Sequence, residues 1–431
     1  MAVFLKSYKV IRNNWKKSAV GAGLIGYGVS SLKSRYDTNV LMKVCCEEAE
    51  KYGDARLPVS ESPRSITVIL NPAANKRSAK TDYEKYCEPL FHLAGISVTL
   101  LQTNAEGHAK DLVQGLPENE SVVVAGGDGT FSEAITGILR EDENKCKRTV
   151  GILPLGRRNF VGNQLFPSHG NLPKVRQLTE AAMAIIKNHS QPKDVMKIEI
   201  IETEADAPGK PIFAMGAIEW GAFRDAYARR DKYWLYGGLR EYASYLFNGY
   251  KSSLCWDCKG TFKISPPCEG CNNCRSTFVK PVTKGRWVDF IMPKVKDEVS
   301  SDKDYTQISN QVCGNVEEIC FKTTEVKLTL NDGDVQVPPH LSVSLGKMNL
   351  GYFEYVAEGW NRLNKNQPAV NKIIAARTVE IYPQKVSREG EEIWFAIDNE
   401  EFDVKPIKIT FLPRAIKVYT NGGVKNQKSI T

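Results

Sequence analysis

Apolar positions follow two different rhythms in the two halves of the chain. In the first half, short unbroken apolar runs alternate with stretches of helical period. Ile66–Leu70, Ile96–Leu101, Val122–Ala125 and Val150–Leu153 have the length and composition of buried strands. Between them, Asp82–Leu93 sets Tyr83, Tyr86 and Leu90 on one side of a helix, and a second helix is predicted from Thr103-Asn104 through Leu116. After the third run, Phe131, Ala134, Ile135, Ile138 and Leu139 recur at one face of a 3.6-residue period. Strands alternating with helices predict a parallel sheet with helices over both faces. From about Val195 the rhythm shortens. Met196–Ile201, Lys327–Leu330, Ile393–Ile397, Ile407–Phe411 and Ile416–Tyr419 alternate as half-buried strands do, with one helical stretch, Tyr233–Phe247, early among them. The expected architecture is an α/β N-terminal domain (65–194) with a parallel sheet, then a C-terminal antiparallel β-sandwich domain (195–420). Residues 37–64 read as a polar connector, 251–309 as a Cys-, Pro- and Gly-rich insertion, and 421–431 as a tail.

The richest local signal lies where the third run meets its helix. Gly126, Gly127, Asp128, Gly129 and Thr130 follow Val122–Ala125 directly. Glycines at a strand-to-helix junction let main-chain N–H groups approach a ligand closely. The first helical turn has N–H groups without internal acceptors, and its dipole favours anions. The stretch reads as a phosphate cradle with a carboxylate, Asp128, in its middle; an ordinary glycine-rich turn is the alternative. Ligands of parallel α/β sheets bind beyond the carboxyl ends of the strands. Asn71-Pro72, Thr103, the glycine loop and Leu153-Pro154-Leu155-Gly156 all fall at such ends.

Charge changes the picture at one end only. Residues 1–36 hold Lys6, Lys9, Arg12, Lys16, Lys17, Lys33 and Arg35 and no acid, seven of the net +8. The basic balance therefore belongs to a terminal segment, and a nucleic-acid-binding face is not indicated. Within it, Ser18–Leu32 is a Gly-rich, weakly apolar run, shorter than the roughly 18 apolar residues of a spanning helix. An acid-free basic N-terminus with such a run fits mitochondrial targeting and membrane anchoring; a basic arm without structure is the other reading. The eleven cysteines are odd in number, against a fully paired secreted framework. Cys255-x-x-Cys258 and Cys268-x-x-Cys271-x-x-Cys274 have zinc-ligand spacing, with Cys255, Cys258, Cys271 and Cys274 as the candidate Zn²⁺ set. Disulfides are the competing reading in an oxidising compartment.

These motifs resemble the diacylglycerol kinase catalytic family and, within it, the mitochondrial acylglycerol kinases. The residues that carry the resemblance are Asn71-Pro72, Thr103 with Gly107-His108-Ala109, Gly126–Thr130, Leu153–Gly156, and Ile397-Asp398-Asn399-Glu400 followed by Pro406 and Leu412-Pro413. Arg12–Lys17, Phe213–Ala226 and Lys232–Leu239 point to the acylglycerol kinases. Two departures stand out. Arg157 and Arg158 follow Gly156 where Thr and Gly are usual, and the stretch Asn349–Phe353 lacks the acid of a D-D-G turn.

The resemblance implies an NAD kinase/diacylglycerol kinase-like fold and ATP-dependent phosphorylation of a lipid hydroxyl with Mg²⁺. It implies nucleotide binding by Asn71, Pro72, Thr103, Gly126, Gly127, Gly129, Thr130, Glu133, Gly156 and Asn159. Glu133 also reads as a salt-bridging or capping residue. Lys76 and Arg77 read either as cover for phosphate charge or as a solvated loop. Among acids, Asp128 would orient the acceptor or hold Mg²⁺. Asp398 and Glu400 alternate across a strand end, so only one faces a ligand in a regular strand, with Glu400 preferred as the catalytic acid. An ordinary Asp-Asn hairpin turn is the alternative. Trp220, Phe223, Tyr233, Trp234 and Tyr236, with Arg224, Arg229 and Arg230, are candidates for the lipid path or for core. Implied substrates and partners are diacylglycerol and monoacylglycerol, the mitochondrial inner membrane on its intermembrane-space side, and the carrier translocase. A sphingosine or ceramide kinase, a soluble NAD kinase and a largely non-catalytic membrane-anchored scaffold are the rivals.

Overall fold

The apolar runs of the first half become strands β1 (Ser65–Leu70), β2 (Ser97–Gln102), β3 (Ser121–Gly126) and β4 (Thr149–Pro154), all parallel, in the order β2-β1-β3-β4. The computed structural model describes residues 13–55, 62–117, 120–141, 148–168, 172–201, 209–251, 258–268, 270–275, 308–331, 338–348, 350–364, 368–384 and 394–421. Its contacts form two compact units, one within residues 1–134, 145–192 and 416–431 and one within 135–144 and 193–415.

In the first unit, β1, β3 and β4 are buried along nearly their whole length, as befits strands covered on both faces. Helix α1 (Trp15–Gly53) precedes them as a single run, so the end of the basic segment, the apolar run and the first part of the connector form one element. Its C-terminal part is docked. Ala49 is fully buried and Glu48 pairs with Lys187 at 2.7 Å. Its first half leaves Trp15, Leu24, Ile25 and Tyr27 exposed. No helix among the described residues is long and apolar enough to cross a membrane. The helix predicted over Asp82–Leu93 is two, α2 (Ala79–Tyr86) and α3 (Glu88–Leu93), because Pro89 enters at the start of the second. Helix α4 (His108–Gln114) begins four residues later than predicted, after Gly107 takes a φ of 81°. Helices α5 (Asp128–Glu141), α6 (Phe160–Leu165) and α7 (Pro173–Ile186) follow.

The second unit is a sandwich of two antiparallel sheets. One contains β8 (Cys258–Ser265), β9 (Glu317–Thr323), β13 (Thr378–Pro383) and the first part of β16 (Ile407–Tyr419), with β5 (Ser190–Ile200) and β6 (Ile212–Ala214) at its side. The other runs β12-β11-β10-β7-β14-β15, from Lys372–Ala376, His340–Leu345, Glu325–Asn331, Ala217–Gly221, Trp394–Ile397 and Glu400–Asp403. Phe262, Val379 and Ile409 from the first sheet share one core with Trp220, Leu328 and Phe395 from the second. Trp220 stands edge-on to Phe321 and Phe395, at 6.1 and 5.3 Å between ring centroids.

Three expectations change here. Residues 258–265, expected within an insertion, form β8, a fully paired strand of the sandwich. The two last predicted strands are one, bent at Pro413-Arg414, where Arg414 has a φ of 51° and its N–H reaches Asp194 at 2.7 Å. The predicted helix Tyr233–Phe247 divides into a 3-10 segment (Arg229–Leu239) and an α-helix, kinked at Gly237. With α8 (Ala222–Ala228), α9 (Arg240–Lys251) and α11 (Tyr352–Leu363, the short α10, Asn272–Arg275, lying between them in sequence), Phe223, Tyr245 and Tyr355 make a small helical core. Burial pushes the Tyr355 hydroxyl pKa far up, so it stays a neutral donor to the Ala222 carbonyl.

Trp220 joins both sheets. Trp220→Ala is expected to cost about 3–5 kcal/mol in urea unfolding, in the range of large aromatic deletions from cores.

Candidate active site

The strand order of the first unit reverses direction between β1 and β3. In open parallel sheets that point leaves a crevice at the carboxyl ends of the strands. Asn71 ends β1 and the glycine loop ends β3. The Asn71 N–H donates to the Ala125 carbonyl at 3.0 Å, and its Nδ2 donates to Thr130 Oγ1 at 2.9 Å. The Asn71 Oδ1 accepts the Ala73 N–H at 3.0 Å, an Asx turn that ends the strand at Pro72. Thr103, at the end of β2, is buried and its N–H donates to Leu70 O at 2.9 Å.

The loops after β3 and β4 touch through bare backbone. A Cβ on Gly156 would overlap the Gly127 Cα, and one on Gly126 would lie 2.9 Å from Thr130 Cβ. Leu155 and Gly156 both donate N–H to the Gly126 carbonyl, at 2.9 and 3.1 Å. Asn159 holds the second loop: its Oδ1 accepts Gly156 N–H at 2.9 Å, and its Nδ2 donates to the carbonyls of Gly156 and Pro154.

Asp128 is 3 % exposed, and its two carboxylate oxygens accept the N–H groups of Phe160 (2.7 Å) and Val161 (3.1 Å). It thereby caps the start of α6 from the start of α5, a charge-assisted pair of bonds to groups with no intrahelical acceptor. Glu133 makes the same kind of bond one turn on, accepting Gly107 N–H (2.8 Å) and Ala109 N–H (3.2 Å). His108 Nδ1 accepts the Asn104 N–H at 3.1 Å. Glycine loop, Thr103–Ala109 turn and Leu153–Asn159 loop are thus one hydrogen-bonded rim. Arg157 is exposed on it. Beside Asn71, the residues Asn75, Lys76 and Arg77 all have positive φ (48°, 57° and 68°), a left-handed turn that non-glycine residues rarely adopt, with both cations exposed.

In the second unit, β14 and β15 are joined by a two-residue turn with Asp398 and Asn399 at φ 46° and 73°, the twist that suits a hairpin. Asp398 is both turn residue and anchor. It is 3 % exposed, and its carboxylate accepts the N–H groups of Met215 (3.1 Å), Gly216 and Ala217 (both 2.9 Å). Glu400 is half-buried at the start of β15, and Glu401 pairs with Arg224 at 2.8 Å. Asn349 lies outside the described residues. Gly351 after it starts α11, whose first-turn Glu354 accepts the Gly351 N–H. Of the aromatic candidates, Trp220 and Phe223 are core, whereas Trp234 (70 % exposed), Leu235 and Tyr236 face outward. Arg230 is buried, stacked 3.7 Å over Tyr227. Arg362, on the wall of a depression that also includes Phe223 and Lys347, is consumed by ion pairs to Glu325 and Glu358.

The cysteines group differently from their spacing. Cys258 is in the sandwich core, with a Gly221 Cβ position 2.9 Å from its sulfur. Cys255 lies outside the described residues. Cys271 meets Cys268 and Cys313, a grouping with no local sequence signal because Cys313 lies beyond the intervening stretch. Sequence spacing likewise gives no hint of the amides that Asp128 and Asp398 take up.

A parallel sheet carrying these loops at its switch point is a frame for binding a phosphate-bearing ligand, and the family match makes it a lipid kinase of the diacylglycerol kinase type. The diacylglycerol kinase catalytic domain profile matches residues 65–198. A Bacillus anthracis protein assigned as a diacylglycerol kinase shares the fold, with a TM-score of 0.50 over 85 % of this chain and 99 % of that one, at 17 % identity. The chain belongs to the acylglycerol kinase family: the acylglycerol kinase C-terminal profile matches residues 215–430. The mitochondrial acylglycerol kinase of Xenopus laevis is 32 % identical over 96 % of this chain and 95 % of its own length. That of Homo sapiens is 29 % identical over 99 % and 98 %.

Gly156→Ala is expected to push the two loops apart and weaken ATP binding by about tenfold or more, equal to about 1.4 kcal/mol. Isothermal titration with ATP, beside a circular dichroism check of the fold, measures it.

Proposed function

We propose that this lipid kinase transfers the γ-phosphoryl group of ATP to the free hydroxyl of diacylglycerol and monoacylglycerol, giving phosphatidic and lysophosphatidic acid. The observation that carries the reading is the hydrogen-bonded rim at the β1/β3 switch point. Amides of Gly127–Thr130 at the start of α5 would hold the nucleotide phosphates, with Asn71, Thr103, Gly156 and Asn159 shaping the seat. Lys76 and Arg77 add positive charge beside it.

Mg²⁺ fits this rim chemically. Asp128 offers two hard carboxylate oxygens at the start of α5. When bound, the ion neutralises charge on the transferring phosphate. Asp128 would hold it while fastening the loop to α6.

Glu400 is the group we assign to take the proton of the acceptor hydroxyl. Asp398, occupied by three amides, is the positioning residue that sets the turn before it. Sphingosine kinase 2 of Homo sapiens matches only 44 % of this chain, while the C-terminal acylglycerol kinase profile covers the sandwich, which favours a glycerolipid acceptor over a sphingoid base.

The mitochondrial inner membrane, on its intermembrane-space side, is the proposed location. The exposed first half of α1 carries Gly21, Gly23, Gly26 and Gly28 among exposed apolar residues. Each interior glycine costs a helix about 1 kcal/mol, and it is the exposed Leu24, Ile25 and Tyr27 that suit this half to a lipid or protein surface. Trp234, Leu235, Tyr236 and Leu239 give a second apolar surface for the bilayer. Association with the carrier translocase through such surfaces is proposed as a role independent of phosphoryl transfer.

The test is phosphate transfer from Mg-ATP to diacylglycerol and monoacylglycerol in mixed micelles. Transfer to neither, by protein that binds ATP, would sink the proposal. Glu400→Gln is expected to lower kcat by about 100- to 10,000-fold with Tm and ATP affinity unchanged. Asp398→Asn is expected to lower Tm, because one oxygen cannot serve amides on both sides of the carboxylate.

A further inference from the structure

We infer that Cys268, Cys271 and Cys313 form a thiolate site for a soft divalent cation of the zinc type. Their sulfur atoms all lie within 4.8 Å of one another, and Cys271 and Cys313 are buried. Tetrahedral zinc–sulfur bonds of about 2.3 Å place sulfurs about 3.8 Å apart, so the ligands need only a small inward shift. The site shares Cys271 with the set that spacing suggests, of which Cys258 belongs to the sandwich core. Thiolates select soft cations over Mg²⁺, so it is chemically separate from the nucleotide rim.

The surroundings are built for sulfur ligation. Asn310 Nδ2 donates to Cys268 Sγ at 3.4 Å, while its Oδ1 accepts the Val312 N–H at 3.1 Å, which fixes the amide's orientation. An N–H donor toward sulfur orients the ligand. The two segments are already laced: Asn272 N–H donates to Ile308 O at 2.9 Å, and Asn273 Nδ2 to Cys313 O at 3.4 Å. A cation joining Cys268 and Cys271 to Cys313 would cross-link two segments far apart in sequence and so close a loop. Such closure removes loop entropy from the unfolded chain and couples metal binding to folding. Binding releases the three thiol protons to solvent and changes no oxidation state.

The test uses the full chain, with thiols protected by reductant, stripped of metal and titrated with Zn²⁺ and then Co²⁺. One Zn²⁺ per chain, a thiolate-to-Co²⁺ charge-transfer band, and a rise in Tm on Zn²⁺ addition are expected. Cys271→Ser and Cys313→Ser should each weaken Zn²⁺ binding at least about tenfold, about 1.4 kcal/mol. Cys87→Ser, whose thiol is buried in the first unit and pushed far up in pKa by that burial, should not. Should the serine variants fail to fold, alkylation of the unaltered chain decides: Zn²⁺ should protect Cys268, Cys271 and Cys313, and a chelator should remove that protection. Substoichiometric Zn²⁺, unchanged affinity in both variants, absent protection, or a disulfide among these three in protein whose thiols were blocked at lysis would each overturn the inference.

Discussion

Everything at the rim depends on two stretches of backbone meeting where no side chain fits. Gly127 and Gly156 lie so close that a single methyl group on Gly156 would collide with the Gly127 Cα. That contact lets Leu155 and Gly156 share the Gly126 carbonyl as acceptor. It also brings the start of α6 within reach of Asp128. Main-chain donors near a phosphate are useful because they need no side-chain ordering when the ligand arrives. The glycine pair supplies closeness, and the Asp128 and Asn159 bonds supply rigidity.

Both units use a buried aspartate as a fastener. Asp128 takes two amides of α6 and Asp398 takes three of the Met215–Ala217 turn. A buried carboxylate is costly unless its oxygens are filled with donors, and amides fill them here. With three amides on its two oxygens, Asp398 is committed to architecture before chemistry begins. That separates Asp398 from Glu400, two positions on, whose half-buried carboxylate is the one we assign to proton transfer. The same consideration makes any neutralising change at Asp128 a change of loop stability as well as of charge.

The outer surfaces carry a different kind of information. The first half of α1 and the Arg229–Leu239 segment expose large apolar side chains that fold stability does not require. A protein working on lipid hydroxyls must meet a surface of that kind. The docked half of α1, held by Ala49 and the Glu48–Lys187 pair, anchors that exposed helix on the first unit.

By itself the sequence determined the strand–helix alternation, the later shift to antiparallel strands and the glycine loop, because these are written in local periodicity and in residues with special backbone freedom. It placed Asn71, Thr103, Gly126–Thr130 and Gly156 at strand ends. It left open which strands are neighbours, and so it could not locate the switch point between β1 and β3. Prolines set two of the errors of boundary: Pro89 split one helix, while Pro413 bent a strand without ending it. Only the tertiary structure decided that Asp128 caps α6, that Glu133 holds the Gly107–Ala109 turn, that residues 258–265 belong to the sandwich, and that Cys313 joins Cys268 and Cys271. Those partners are distant in the chain, and hydrogen bonds and sulfur contacts between distant segments leave no period or spacing to read.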